Sequence, residues 1–552
     1  MQMTFDGLDK NICRWGGHVE IIFVLILPFV ALVPHPLTLL VIQSLVICFA
    51  ALMLYRVAEK KLNDSSIALQ ILVSFLLFPF LPAIALSNFH ADPFVLLPFF
   101  AAWYFHISGR NRLFWIFIIL SLLVKEYMVL PVALLGLYVY NSDRKKGILL
   151  IAAAALYYLL IVPVIIHLCI DIPIAVKTQS HALIIPKGID QTSLMNAAVK
   201  IFNTAFKTSN MVSLFILIAL FGYPLIKNKR ALLFVLPIIA LIFTLNQGGV
   251  FKTHRHTILI PAIFITYIDA LFMMGVGSTR KKVALAVLIL STFFFFLSRE
   301  SVIGLNIRER FTKQEFRNFY HYNYTEHDKL TDSIIQNIPP DARVSSEDGI
   351  RTKLCKREWS YLLPFPRNIM DADVYIYDFF EALAYIPWEK KAQRVGMLLT
   401  SPDFELKSNL DGIIYFKKID SIKSEPSALF DTLAQDTFKN IDLNCTSKKL
   451  ERISATTFRM TSIFCKGEAY TDGDALISYF SNGSDTVRVL HTSSFCLSSI
   501  RNLPQGIYRE EFIFHVPSGF NPEKAEHSVK LFKRDKYLSF FDRKKFLIKS
   551  EL

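Results

Sequence analysis

The sequence predicts a polytopic α-helical membrane bundle of about ten transmembrane helices, followed by an extracytoplasmic α/β domain and a small β-rich module. Three observations carry this. Of 552 residues, 53% are hydrophobic, 48 are Phe and only 19% are charged. That is more apolar surface than a water-soluble chain needs, and too many aromatics for a disordered one. Charge is also divided along the chain. Residues 1–298 hold 23 Lys and Arg against 11 Asp and Glu, whereas 299–552 hold 37 against 35. Finally, apolar runs approaching the roughly 20 residues that span a bilayer recur through the first part. The basic balance lies between those runs, so it points to a membrane and not to nucleic acid.

Residues 1–36 read as an outer-face loop and an interfacial helix. The N-terminus is polar and its first apolar run starts at Val19, so no cleavable signal peptide is expected. The run 19–33 is 15 residues long and stops at Pro34-His35-Pro36, short of a crossing. Residues 37–298 form the bundle, with runs at 37–57, 65–87, 93–107, 113–124, 127–140, 147–168, 211–226, 231–246, 257–276 and 283–298. The shorter runs suit re-entrant or cavity-lining pieces, because unpaired backbone cannot face lipid. Every second loop is basic. Arg56/Lys60/Lys61, Arg110/Arg112, Arg144–Lys146, Lys227/Lys229/Arg230 and Arg280–Lys282 supply 14 of the 23 cations. The positive-inside rule makes these loops cytoplasmic. The alternate loops and everything after the bundle then face outward, in a multi-pass protein of the cell (inner) membrane.

Ionisable groups at membrane depth are costly and point to function. Outside the basic loops and the long 169–210 loop, the first part has only Asp6, Asp9, Glu20, Asp92, Glu126 and Asp269 as acids. Five of these six map to the outward side, with His18, His90, Lys125, His254, Arg255 and His256. Such a set suits an anionic ligand, such as a phosphate at headgroup level. Each residue also has a plain reading. Asp92 before Pro93 fits a helix N-cap. Lys125-Glu126, at the tip of a hairpin whose first arm is about 18 Å long, fits a snorkelling pair. His254-Arg255-His256 fits a solvated loop as well as a phosphate-binding one, and His-x-His alone is weak evidence for metal. His18 follows Gly16-Gly17, a place for close backbone approach or a solvated loop. Asp269, deep in its run, reads as a structural hydrogen-bond partner.

Several stretches carry a resemblance: GGHVEIIFVLILPFVALVPHPLTLLVIQSL, NFHADPFVLLPFFAAWYF, LLVKEYMVLPVALLGLY, HRHTILIPAIFI and IPPDARVSSEDGIRTKLCKREWSYLLPFPRNIMDADVYIYDFF. In this order, over about residues 16–380, they resemble domain-of-unknown-function family 2079. Its members look like GT-C glycosyltransferases that use polyprenyl-phosphate sugars. The family begins with a further transmembrane helix and an outer-loop Asp motif; here 17 residues precede His18, and Asp6 and Asp9 lie nearest that motif. The resemblance implies transfer of a sugar from a lipid phosphate to an extracytoplasmic acceptor. Asp6, Asp9, Asp92 and Glu126 are its catalytic candidates, as base or metal ligand. His18, His90, Lys125, His254, Arg255 and His256 are its substrate-binding candidates. A divalent metal, Mg or Mn, is the one cofactor it suggests, with no ligand set assigned. The partners implied are a lipid-linked sugar donor and membrane lipids. Two other classes answer to the same features: a transporter or lipid-binding scaffold without chemistry, and an inactive family member.

Residues 299–326 are charged and aromatic and read as a linker. Helix signals at 328–337 and 389–399 alternate with strand signals at 343–346, 373–377 and 412–417, giving an α/β domain over 327–435. Thr/Ser-rich alternation gives a β-rich module over 436–552. Cys445, Cys465 and Cys496 allow one disulfide there, and Cys48, in an apolar run, reads as packing.

Overall fold

In the computed structural model the chain divides near residue 320 into two compact units. The described residues are 2–3, 12–13, 18–86, 89–169, 203, 206–245, 254–298, 301, 324–354, 357, 359–363, 366, 368–379, 388–419, 428–434, 445–466, 475–483, 485–491 and 504–532.

The first unit is helical apart from the two-residue strands β1 (Gln2–Met3) and β2 (Ile12–Cys13), which pair antiparallel. A 3-10 turn, Ile21–Leu25, leads into the short helix α1 (Leu27–Leu32). Together they span about 20 Å of axis, too little to cross a bilayer. Their outward side exposes Leu25, Leu27, Phe29 and Leu32, while Ile22 and Ile26 are buried. Helix α2 (Pro36–Leu62) starts with Pro36 at its first position and His35 as N-cap. Asp64 caps α3 (Ser65–Leu76) by accepting from the Ile67 amide at 3.1 Å. After α4 (Leu81–Leu86) come a turn, Asp92–Val95, and α5 (Leu96–Ile107). Helices α6 (Asn111–Leu122) and α7 (Val129–Tyr140) make a hairpin. Asp143 then caps α8 (Arg144–Leu156), which continues through a π turn into α9 (Val162–Cys169). Helices α10 (Thr208–Lys227), α11 (Lys229–Leu245), α12 (Leu259–Met273) and α13 (Ser278–Leu297) complete the unit.

Among the described residues each of the ten apolar runs is therefore mainly helical, the run 65–87 as two helices parted at residues 77–80. By length and composition, four stretches of the described residues are able to cross a membrane: Pro36–Leu62, Arg144–Leu168, Asn210–Lys227 and His256–Met273. The others are shorter or interrupted, so helix length alone does not carry the ten-span expectation. The His256–Met273 stretch is buried among the other helices, whereas the other three turn apolar side chains outward. Cys48 is exposed on α2 rather than packed in the core.

Helices α7 and α8 touch through glycines. A Cβ on Gly147 would lie 2.7 Å from the Gly136 carbonyl oxygen and 2.7 Å from Tyr140 Cα. Backbone cannot yield as a side chain can, so small residues are needed where helices approach this closely. Gly147→Ala is expected to cost about 1–3 kcal/mol by overpacking. Gly222→Ala, which meets only the Ile218 side chain at 3.2 Å, should cost less. Thermal unfolding of the two variants in detergent checks this.

The second unit opens with α14 (Glu326–Gln336), whose Thr325 and Asp328 form a capping box. Its first sheet has the order β4 (Ser360–Leu362), β3 (Val344–Ser346), β5 (Val374–Asp378), β7 (Ile413–Lys418), β6 (Phe404–Leu410). Strands β4, β3 and β5 run parallel, and β7 and β6 add an antiparallel hairpin. Asp411 and Gly412 turn that hairpin at φ 50° and 78°, left-handed values that the short loop requires. Helices α15 (Asp348–Lys353) and α16 (Trp388–Thr400) lie between strands in the chain. A four-stranded sheet follows, β8 (Ala428–Ala434), β13 (Gly506–His515), β10 (Thr457–Lys466), β9 (Cys445–Arg452). A three-stranded one joins β12 (Thr486–Leu490), β11 (Ala475–Ser481) and β14 (Glu526–Phe532). Tyr375, Phe404 and Phe416 of the first sheet share one core with Phe458, Phe480 and Phe514 of the others. Cys465 is free and buried, so no disulfide forms through it; the side chains of Cys445 and Cys496 lie outside the described residues.

An ion network runs through this unit. His327 bonds Asp378 at 3.0 Å and Asp411 at 2.9 Å, and Arg488 holds the other oxygen of Asp411. Burial by itself pulls the His327 pKa down, but Asp378 and then Asp411 outweigh it and hold it up at about 10. A raised imidazole pKa stabilises the fold fully below the free value of about 6.5 and ceases to do so above about 10. The unfolding temperature of this unit should therefore fall between those pH values, and more steeply than in His327→Gln. Denaturation followed across that window checks the slope.

Candidate functional site

Four segments of the first unit converge at one end of the helices. The α6–α7 turn places Lys125 in an extended conformation, followed by a 3-10 turn at Glu126–Met128. Because the backbone is extended there, the two side chains leave in different directions. Lys125 goes inward: its ammonium lies 3.2 Å from Asp92 Oδ2 and 3.4 Å from Glu20 Oε1. Asp92 is 0% exposed, Glu20 2% and Lys125 5%. Glu126 reaches the other way. Its carboxylate meets His18 Nδ1 at 2.7 Å and accepts from the Val19 amide at 3.0 Å. The Ile22 amide also donates to the Leu123 carbonyl at 2.9 Å. Residues 18–22 are thus pinned across the turn, and this pinning delivers Glu20 to Lys125.

Asp92 opens the 3-10 turn before α5, with Ala91 in the cap position. The N-cap reading of Asp92 therefore fails, since its carboxylate bonds to Lys125 rather than serving as the helix cap. His90 is half-buried, and its amide donates to Gln43 Oε1 on α2 at 3.0 Å. The 3-10 turn His254–Ile258 packs against the Asp92 turn. His256 is buried there, its ring stacked 6.5 Å from that of Phe80. The side chains of His254 and Arg255, and all of Asp6 and Asp9, lie outside the described residues. Asp269 belongs to the other end of the helices. It accepts from Tyr138 at 2.7 Å and pairs with Lys61 at 3.2 Å, the structural role expected for it.

The structure thus brings together His18, Asp92, Lys125 and Glu126 from the sequence-derived set, with His256 nearby on the adjoining turn. It alters two roles. Lys125, expected to hold a phosphate, is the counter-ion of two acids. Glu126, expected among the catalytic acids, is the clamp that fixes residues 18–22. Two further residues matter. Glu20 is one of the outward acids, with nothing in its local sequence to assign it a role, and the only sign of Gln43 is an amide in an apolar helix.

A divalent metal does not fit this donor set. The ammonium of Lys125 already lies between Glu20 and Asp92, and a cation there would meet it at repulsive distance. Among the described residues no three His, Cys, Asp or Glu side chains are grouped to hold a metal ion.

The second unit holds a buried constellation of its own. Ser478 Oγ lies 2.7 Å from His491 Nε2 and 2.9 Å from His527 Nε2, and His491 Nδ1 bonds Glu510. The sequence of atoms is that of a nucleophile relay. Ser478, His491 and Glu510 are each at most 1% exposed, and they bond to one another inside the β core.

A family model described as "Predicted membrane protein (DUF2079)" matches residues 1–403. The chain matches none of the curated proteins.

Proposed function

As this chain belongs to the DUF2079 family of predicted membrane proteins, we propose that it is a glycosyltransferase of the GT-C kind. It would take a sugar from a polyprenyl-phosphate donor and pass it to an extracytoplasmic acceptor. The observation that supports this reading is the buried Glu20–Lys125–Asp92 cluster at one end of the helices. Keeping three ionic groups out of water is costly, and a helical unit with an apolar core has no packing need for them there. Asp92 is the proposed base: its carboxylate accepts the acceptor hydroxyl's proton as the new glycosidic bond forms and the bond from the sugar's anomeric carbon to the phosphate oxygen breaks, releasing the polyprenyl phosphate. Lys125 positions that carboxylate, and Glu20 shares the ammonium. The His254–Ile258 turn and His90 flank the acceptor side. The charge pattern of the loops supports a ten-span bundle in the inner membrane, with this end and the second unit outside. The test is transfer of labelled sugar from a polyprenyl-phosphate donor by the purified chain in liposomes. Transfer to a water-soluble acceptor supports the reading. Donor bound without turnover favours a lipid-binding scaffold.

A further inference from the structure

The topology of the second unit marks a place that the transfer site does not use. From β3 the chain crosses to β4 on one side, and from β5 it proceeds to the β6–β7 hairpin on the other. The switch of direction falls between β3 and β5. Ligands of open α/β sheets bind outside the carboxyl ends of the strands at such a point, where the departing connections leave a crevice. In this chain the two strand ends carry charge. Glu347 directly follows β3, and Asp378 closes β5. Lys391 on α16 bonds the Glu347 carboxylate and donates to the Asp378 carbonyl at 3.0 Å. Its ammonium also lies 5.2 Å from the Phe379 ring. His327 approaches Asp378 from α14. These four ionic residues are each at most 3% exposed, and an apolar substitute would pack there at lower electrostatic cost.

We propose that the edge between β3 and β5 is a second binding site, and that it takes an uncharged, polyhydroxylated ligand of the carbohydrate type. The chemistry selects this class. Paired carboxylate oxygens accept from neighbouring hydroxyls, while Lys391 and His327 donate to others. With Asp411 on His327 and Arg488 on Asp411 the count is three acids against three cations, which leaves the edge near neutral, so a phosphate meets Glu347 and Asp378, and a cation meets Lys391 and His327. The inference does not depend on sugar transfer by the membrane unit.

The test uses the full chain in detergent, with glucose, galactose, mannose and N-acetylglucosamine at millimolar concentration, followed by amide hydrogen exchange. At least one sugar should slow exchange in peptides covering 344–351 and 374–379. In Lys391→Met/Glu347→Gln, which neutralises both partners together, the same protection should need at least about tenfold more sugar. Absence of protection in the unaltered chain overturns the proposal. So does protection that persists unchanged in the double variant, or that is confined to residues 18–22 and 123–128. If the double variant does not fold, the peptide map of the unaltered chain decides alone. Protection at 344–351 without any sugar transfer supports this inference while removing the transferase reading.

Discussion

Asp92→Asn is expected to lower sugar transfer by about 10²–10⁴-fold, the range for loss of a positioned proton acceptor. The amide keeps the shape of the carboxylate and still meets the Lys125 ammonium, which retains Glu20 at 3.4 Å. Insertion and thermal stability should therefore change little, and the loss should fall on kcat rather than on the amount of folded protein. Asp269→Asn is the contrast. Asp269 binds Tyr138 and Lys61 at the other end of the helices, so its loss should lower stability and spare kcat. Equal kcat losses in the two variants would show that Asp92 acts through the fold and not on the reacting atoms.

Lys125→Met is expected to be the most damaging single change to stability in the membrane unit, at about 3–5 kcal/mol. It removes the one described cation between two carboxylates that are 0% and 2% exposed. The cost arises from the acids left behind more than from the bond lost. Lys125→Met combined with Glu20→Gln and Asp92→Asn should therefore recover most of the stability and none of the transfer. Thermal unfolding in detergent, with transfer measured on the same samples, separates the two effects.

The membrane unit was legible because charge is scarce there. In a stretch with 11 acids, each one outside a basic loop stands out, and Asp92, Lys125 and Glu126 were found that way. Their partners were not, because pairing is long-range. Glu20 reaches Lys125 only through the clamp of Glu126 on residues 18–19, and nothing local at position 20 announces it. The same ignorance of distance made Asp92 pass for a cap and Lys125 for a phosphate ligand. The second unit shows the converse. Its strands and helices followed from alternation and periodicity, apart from the one-and-a-half-turn α15, the short β4, the charged β6, and β8, which pairs in the four-stranded sheet rather than in the α/β domain that 327–435 suggested. In a charge-balanced segment, though, Glu347, Asp378, Lys391 and His327 look like ordinary surface residues. Only the strand order reveals that they meet.

The whole account rests on Asp92 and Lys125 forming one buried pair. A double-mutant cycle on unfolding free energy measures this most directly, using Asp92→Asn, Lys125→Met and their combination. A coupling of about 1–3 kcal/mol is predicted for groups in contact. Additivity within about 0.5 kcal/mol would contradict the pair, and with it the site built around it.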